Sequence, residues 1–193
     1  MRLILASTSR YRRALLDAAG VRYEAASPPF EEDHARPLSA EAMVIAFARG
    51  KAESLAAPDA VVIGADQIPA LGDRILTKPG TRHAAIDQLQ LLAGRTHRLL
   101  TAVAVHHGGR TESRLVVHEM RMRPLTRAQI ERYVDRDEPF DCAGSYKVEA
   151  AGSLLFESMQ GADHTAIVGL PLTALGKLLH DAGVDLLGRA LSR

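Results

Sequence analysis

The chain opens on a short unbroken apolar run, residues 2–6 (RLILA), which predicts a buried strand. The run breaks at Ser7-Thr8-Ser9, and SRYRRALLDAAG then reads as a helix with Ser9 as its N-cap and Gly20 as its stop. VRYEAAS alternates like a second strand, and PPFEEDHARPL is a Pro-rich acidic loop. Ser39 followed by Glu41 opens a long helix carrying Ala42 to Leu55. AVVIGAD, residues 60–66, predicts a buried strand that ends on a carboxylate. LGDRILTKPG reads as a hairpin or short strand closed by Pro79-Gly80, and Thr81 caps a helix through Leu92. Two long strand patterns, RTHRLLTAVAVHHGG and RTESRLVVHEMRMRP, meet at Gly108-Gly109, a hairpin signal. Thr126 starts a helix to about Asp135, GSLLFESM reads as a strand, and IVGLPL as a strand-to-helix corner. PLTALGKLLHDAG follows as a helix with Pro171 in its first turn and Gly183 beyond its end.

Strand and helix alternate early, and a hairpin interrupts the alternation in the middle. That order predicts an α/β protein with a mixed, twisted sheet and flanking helices, one domain of two lobes over residues 1–193. With 47% hydrophobic and 24% charged residues, 193 positions suffice for a sizeable core. A net charge of +1, no Trp, four Tyr and four Phe argue against nucleic acid as the main partner. No apolar run approaches the ~20 residues of a membrane span. A single cysteine, Cys142, and the lack of a recognisable leader point to a reducing cytoplasm. Cys142 is expected as a buried inert thiol. His97, His106 and His107 lack metal-ligand spacing and are expected in the sheet and its turns.

Several polar groups interrupt this pattern. Ser7, Ser9, the free N–H groups of a helix start, and Arg12 with Arg13 compose an anion site; alternatively they are an N-cap with solvated arginines. Asp66, placed at a strand's carboxyl end, is positioned to hold a metal or take a proton from water, unless it simply forms a turn. Glu31-Glu32-Asp33 repel one another unless a cation sits among them or water solvates them. Lys51 and Lys78 reach a phosphate oxygen, or snorkel at the surface. FDCAGSYKVEAAG brackets Glu149 with small residues, which brings backbone close to a ligand and leaves Glu149 to accept N–H donors from a base edge. The plainer alternative is a glycine-rich loop with an exposed glutamate. Carboxylates for a divalent cation together with several cations for a polyphosphate are the equipment of phosphoryl or nucleotidyl chemistry.

LILASTSRYRRALL, EE in the following loop, ARGKAESLA, VVIGADQI, ILTKPGT, AGRTHRLLTAVAV, CAGSYKVEAAG and IVGLPLTAL resemble, in the same order, the Maf family of nucleoside triphosphate pyrophosphatases. The resemblance implies a Maf/inosine-triphosphatase-like fold with a cleft between two lobes. It also implies cleavage between the α and β phosphates of a nucleotide, giving a nucleoside monophosphate and pyrophosphate. Asp66 matches the family's proton acceptor, and Ser7, Arg12, Glu32, Lys51 and Lys78 match its phosphate- and metal-handling positions. Arg13 stands beside them as a further substrate contact. Mg²⁺ or Mn²⁺ is expected near Glu32 and Asp66, with the division between metal ligand and base left open between the two. A homodimer is also implied.

Tyr11, Gln67 and Glu149 are similar to the branch that hydrolyses 7-methyl-GTP and keeps modified nucleotides out of nucleic acids. Members directed to dTTP and UTP carry Arg, Thr and Gln there. An aromatic face attracts a cationic methylated base, and a carboxylate accepts both N1–H and N2–H of guanine. The alternatives are the same reaction on dTTP, UTP or another modified nucleotide, and a non-catalytic regulator of cell division. The chain departs from the common family pattern at Arg10 (usually Pro), Glu31 (Asp) and Ala151 (Gly).

Overall fold

A computed structural model describes residues 1–191; the end of the apolar segment 183–192, whose pattern suits either a core helix or a homodimer interface, lies outside the described residues. The strands are β1 (Arg2–Ala6), β2 (Glu24–Ala26), β3 (Ala60–Leu71), β4 (Arg74–Ile75), β5 (Thr96–His107), β6 (Arg110–Met122) and β7 (Phe156–Gln160). They form a seven-stranded sheet of order β2-β1-β3-β5-β6-β7, with β4 on β3. β1 runs parallel to β2 and β3, whereas β3–β4 and β6–β7 are antiparallel, so the sheet is mixed as the pattern predicts. The helices are α1 (Arg10–Ala18), α2 (Ala40–Glu53), α3 (Arg82–Leu92), α4 (Arg127–Asp137), α5 (Thr165–Val168), α6 (Leu172–Asp181) and α7 (Leu186–Leu191).

The chain divides into two compact units. The first comprises residues 1–66, 101–116 and 163–193; the second, residues 67–100 and 117–162. A core of the first unit joins Leu3, Leu5, Val61, Ile63 and Val103 of the strands to Leu16 of α1 and Leu175, Leu178 and Leu179 of α6. The expected caps form: Ser9, Ser39, Thr81 and Thr126 each accept an N–H of the first helical turn through their hydroxyls. At Thr126 the Gln129 side chain reaches back to complete a capping box. Gly108 and Gly109, both at positive φ, turn β5 into β6.

Four local expectations change. Asp66 lies in the middle of β3 and not at its end, because Ile68, Ala70 and Leu71 continue the strand past the polar pair Asp66-Gln67 and past Pro69, whose carbonyl still accepts the Leu76 N–H. The first half of GSLLFESM is a 3-10 helix, Ala151–Leu155, since Ala150 and Gly152 both donate to the Lys147 carbonyl and wind the chain before Phe156. IVGLPL begins inside α5, which ends where Gly169 takes φ 113°. Cys142 is half-buried with its thiol 3.5 Å from Asp141 Oδ1, not sealed in a core.

Gly64 governs how closely α2 approaches β3. A Cβ there would lie 2.1 Å from the Ala48 carbonyl oxygen and 2.7 Å from the Ala52 nitrogen, both helix backbone atoms. Backbone cannot rotate away as a side chain can, so Gly64→Ala forces helix and strand apart. Urea denaturation of this variant is expected to show a loss of about 1–3 kcal/mol; wild-type stability would mean that the helix yields freely.

In the second unit His97 of β5 is buried, with Nε2 hydrogen-bonded to the Tyr146 hydroxyl at 2.9 Å and no hydrogen-bond partner for Nδ1. Burial lowers its pKa from 6.5 to about 4. The unfolded chain therefore takes up this proton first, and the contribution of neutral His97 is complete above pH 6.5 and lost as pH falls towards 4. At 1.36 kcal/mol per unit this amounts to roughly 3 kcal/mol. His97→Gln is expected to flatten the fall in stability between these limits, measured by denaturation at a series of pH values; an unchanged slope would remove His97 as its source.

Candidate active site

In the first unit β1 ends at the turn Ser7-Thr8-Ser9, and α1 starts immediately after it. Ser7 is only 5% exposed, and its Oγ accepts the Ser9 N–H at 3.1 Å and Arg12 Nη1–H at 3.2 Å. Arg12 Nε donates to the Gly169 carbonyl at 2.9 Å, so the guanidinium is held on two sides. Burial lowers the Arg12 pKa, against the attraction of Asp66 and Glu32.

Lys51, in the last turn of α2, is 7% exposed and does not snorkel. Its ammonium lies 2.7 Å from Asp66 Oδ1 and 2.6 Å from Glu32 Oε1. Asp66, equally buried, has its pKa raised by desolvation, with Lys51 and Arg12 opposing the shift and Glu32 adding to it. Gly64 and Asp66 stand two residues apart on one face of β3, so the strand face that admits α2 closely at Gly64 also carries the carboxylate that Lys51 meets. The cation that the acidic run Glu31-Glu32-Asp33 demands is thus Lys51, at Glu32.

The loop carrying Glu32 is fastened on either side of it. Phe30 meets the Phe47 ring edge-on at 6.0 Å, and His34 meets the same ring at 5.1 Å. Gly50 makes room for Phe30, because a Cβ there would fall 2.1 Å from its Cε2. Phe30, His34, Phe47, Gly50 and Gly64 carry no chemistry of their own and escape a search for chemical residues. Their one signal is aromatic residues set in and beside an acidic loop.

Ser7, Arg12, Glu32, Lys51 and Asp66 therefore converge. Arg13 is exposed and lines a groove of about 640 Å³ with Arg10, Asp17, Arg22 and Tyr23. Tyr11 is half-buried, and Arg10 lies 4.8 Å over its ring and donates to its hydroxyl at 2.7 Å. Gln67, Lys78 and Glu149 belong to the second unit: Gln67 half-buried in β3, Lys78 exposed in the turn after β4, and Glu149 exposed ahead of the 3-10 helix. Gln88 of α3, absent from the sequence-level candidates, bonds both the Lys78 turn and the Glu149 loop.

Among the described residues no group of three or more His, Cys, Asp or Glu side chains can hold a metal ion. Two hard carboxylates meeting at one point nevertheless fit Mg²⁺ or Mn²⁺ in the mode where phosphate oxygens and water supply the remaining ligands. Two acids against Lys51 and Arg12 leave the site near neutrality, suited to a metal that arrives with a polyanion.

A mixed α/β sheet bearing a pinned arginine at a strand-turn-helix junction and a lysine-bridged carboxylate pair is the setting of a phosphate-handling protein. The model of the Maf-like proteins matches residues 2–182, and the chain belongs to the Maf family. It is 45% identical to a 7-methyl-GTP pyrophosphatase of Bdellovibrio bacteriovorus, over 94% of this chain and 97% of that one. Proteins of the same description from Alkalilimnicola ehrlichii (44% identical, 96% of each chain) and Pseudomonas aeruginosa (42%, 95% of this chain and 98% of the other) are also similar. A HAM1 protein from Coxiella burnetii superposes with a TM-score of 0.45 at 14% identity, over 65% of this chain and 74% of that one.

Removing the Lys51 ammonium leaves two carboxylates facing each other, one of them buried. Lys51→Met is expected to cost about 3 kcal/mol in urea denaturation. Adding Asp66→Asn should restore part of that stability. Additive losses in the double variant would show that the pair is not coupled.

Proposed function

We propose that this protein hydrolyses 7-methyl-GTP to 7-methyl-GMP and pyrophosphate in the cytoplasm, keeping the methylated nucleotide out of nucleic acids. The observation that carries the reading is the convergence of Ser7, Arg12, Glu32, Lys51 and Asp66. Its support on the substrate side is the description shared by relatives similar along nearly the whole chain. The same reading takes the chain as a homodimer.

Asp66 and Glu32 would hold a divalent cation, Mg²⁺ or Mn²⁺, which when bound neutralises charge on the triphosphate. Lys51 opposes the desolvation that raises the Asp66 pKa, and the raised basicity suits the carboxylate to accept a proton from water. The oxygen of that water forms the new bond to the α-phosphorus, and the bond from the α-phosphorus to the bridging oxygen breaks. Pyrophosphate leaves with the bonding pair. Arg12, fixed by Ser7 and Gly169, together with Lys78, offsets the charge that develops on the leaving group, and Arg13 adds to the field. Tyr11, Gln67 and Glu149 select the base: Glu149 accepts guanine's two edge N–H groups, and Tyr11 offers an aromatic face to the methylated ring.

Pyrophosphate release from 7-methyl-GTP, GTP, dTTP and UTP with Mg²⁺ or Mn²⁺ tests this directly. 7-Methyl-GTP should turn over fastest, Asp66→Asn should abolish turnover in a folded protein, and Glu149→Gln should move preference towards pyrimidines. A wild-type preference for dTTP or UTP, or a base preference untouched by Glu149→Gln, would contradict the assignment.

A further inference from the structure

One side-chain amide in the second unit connects two loops that the proposed function uses separately. Gln88, half-buried on α3, donates from Nε2 to the Thr77 carbonyl at 2.8 Å, and its Oε1 accepts the Ser145 hydroxyl at 2.7 Å. The orientation is fixed by chemistry: a carbonyl only accepts, so the amide nitrogen must face Thr77 and the oxygen is left for Ser145. Thr77 precedes Lys78, the proposed phosphate contact, and Ser145 stands four residues before Glu149, the proposed base contact. Gly80 N–H reinforces the link by donating to the Phe140 carbonyl at 3.1 Å, which ties the far side of the Lys78 turn to the start of the Glu149 loop.

The Glu149 loop is built to be held there. Ser145 is fully buried and sits at φ 64°, a left-handed conformation that a residue with a Cβ keeps only when its surroundings impose it. Beyond it, Tyr146 is buried against Phe156 and bonded to His97, the Lys147 N–H donates to the Tyr133 hydroxyl at 2.8 Å, and Lys147 Nζ donates to the Asp137 and Glu138 carbonyls at the end of α4. Three consecutive residues thus turn inward as anchors, and Glu149 stays exposed. The Lys78 turn has fewer ties, and Gln88 is the side chain it shares with the anchored loop.

We infer that Gln88 is a positioning residue that holds the Lys78 turn and the Ser145–Glu149 loop in fixed register, so that the phosphate and base ends of one nucleotide are engaged together. This rests on the assignment of Lys78 and Glu149 proposed above. The two arms of the amide can be cut separately. Gln88→Met removes both, Gln88→Glu keeps an oxygen for Ser145 but sets a second acceptor against Thr77, and Ser145→Gly removes only the base-side arm while relaxing the backbone at its positive φ.

The test combines kinetics on 7-methyl-GTP and UTP with hydrogen exchange of residues 76–80 and 142–149. Gln88→Met is expected to raise KM for 7-methyl-GTP roughly tenfold with a smaller change in kcat, to narrow its preference over UTP, and to speed exchange in both segments. Gln88→Glu should loosen 76–80 and slow both nucleotides alike, leaving base preference intact. Ser145→Gly should loosen 142–149 and narrow the preference. Glu149→Gln, run alongside, isolates the underlying reading. A preference that moves with Glu149→Gln but not with Gln88→Met overturns the positioning role alone, whether or not exchange speeds up. A preference that Glu149→Gln leaves unmoved overturns the base assignment and this inference with it.

Discussion

The site depends on the distance between α2 and β3. At Gly64 the two backbones lie too close to admit a Cβ, and two residues further along the strand Lys51 of the helix bonds Asp66 Oδ1 at 2.7 Å. From that contact the other arrangements follow. Lys51 opposes the desolvation of Asp66, and the same ammonium pairs with Glu32 of a Pro-rich loop that has no regular structure to place it. Arg12 supplies a second positive charge, attracted by both Asp66 and Glu32, beside the one acid that is buried. The arrangement is costly to maintain and has no packing rationale, as is common where geometry serves chemistry.

The aromatic contacts on Phe47 and the glycine at position 50 belong to the same construction. An exposed loop with three carboxylates in succession would ordinarily remain solvated and variable. Packing Phe30 and His34 onto Phe47 of α2 on either side of Glu32 fastens the loop so that Glu32 is held as an acceptor for Lys51. In the second unit an equivalent purpose is met by polar means. Gln88, Tyr133 and the α4 carbonyls anchor the residues around Glu149, and the strain at Ser145 is sustained by those bonds.

Much of this was legible in the chain. Ser9, Ser39, Thr81 and Thr126 cap as their side chains dictate, Gly108-Gly109 turns, and the α/β alternation with an inserted hairpin yields a mixed sheet. Ser7, Lys51 and Asp66 stand out because each breaks an apolar or small-residue run, Glu32 because three carboxylates stand in succession, and Arg12 because it falls at a helix start beside two hydroxyls. What the pattern obscured was continuity: Pro69 and the polar pair Asp66-Gln67 imitate a turn in the middle of a strand whose apolar alternation resumes at Ile68. Long-range partners were equally hidden. Nothing local links Gln88 to Ser145, 57 residues away, or Gly64 to the backbone of α2. Glycine and glutamine carry no chemical flag, and their importance comes from what approaches them.

In the proposed reaction water attacks the α-phosphorus of a methylated guanine nucleotide. Hydrolysis of 7-methyl-GTP in heavy-oxygen-labelled water, followed by mass spectrometry of the products, reads the bond that forms. The account predicts the label in 7-methyl-GMP and none in pyrophosphate. Label in the pyrophosphate, or release of single phosphates in its place, would contradict it.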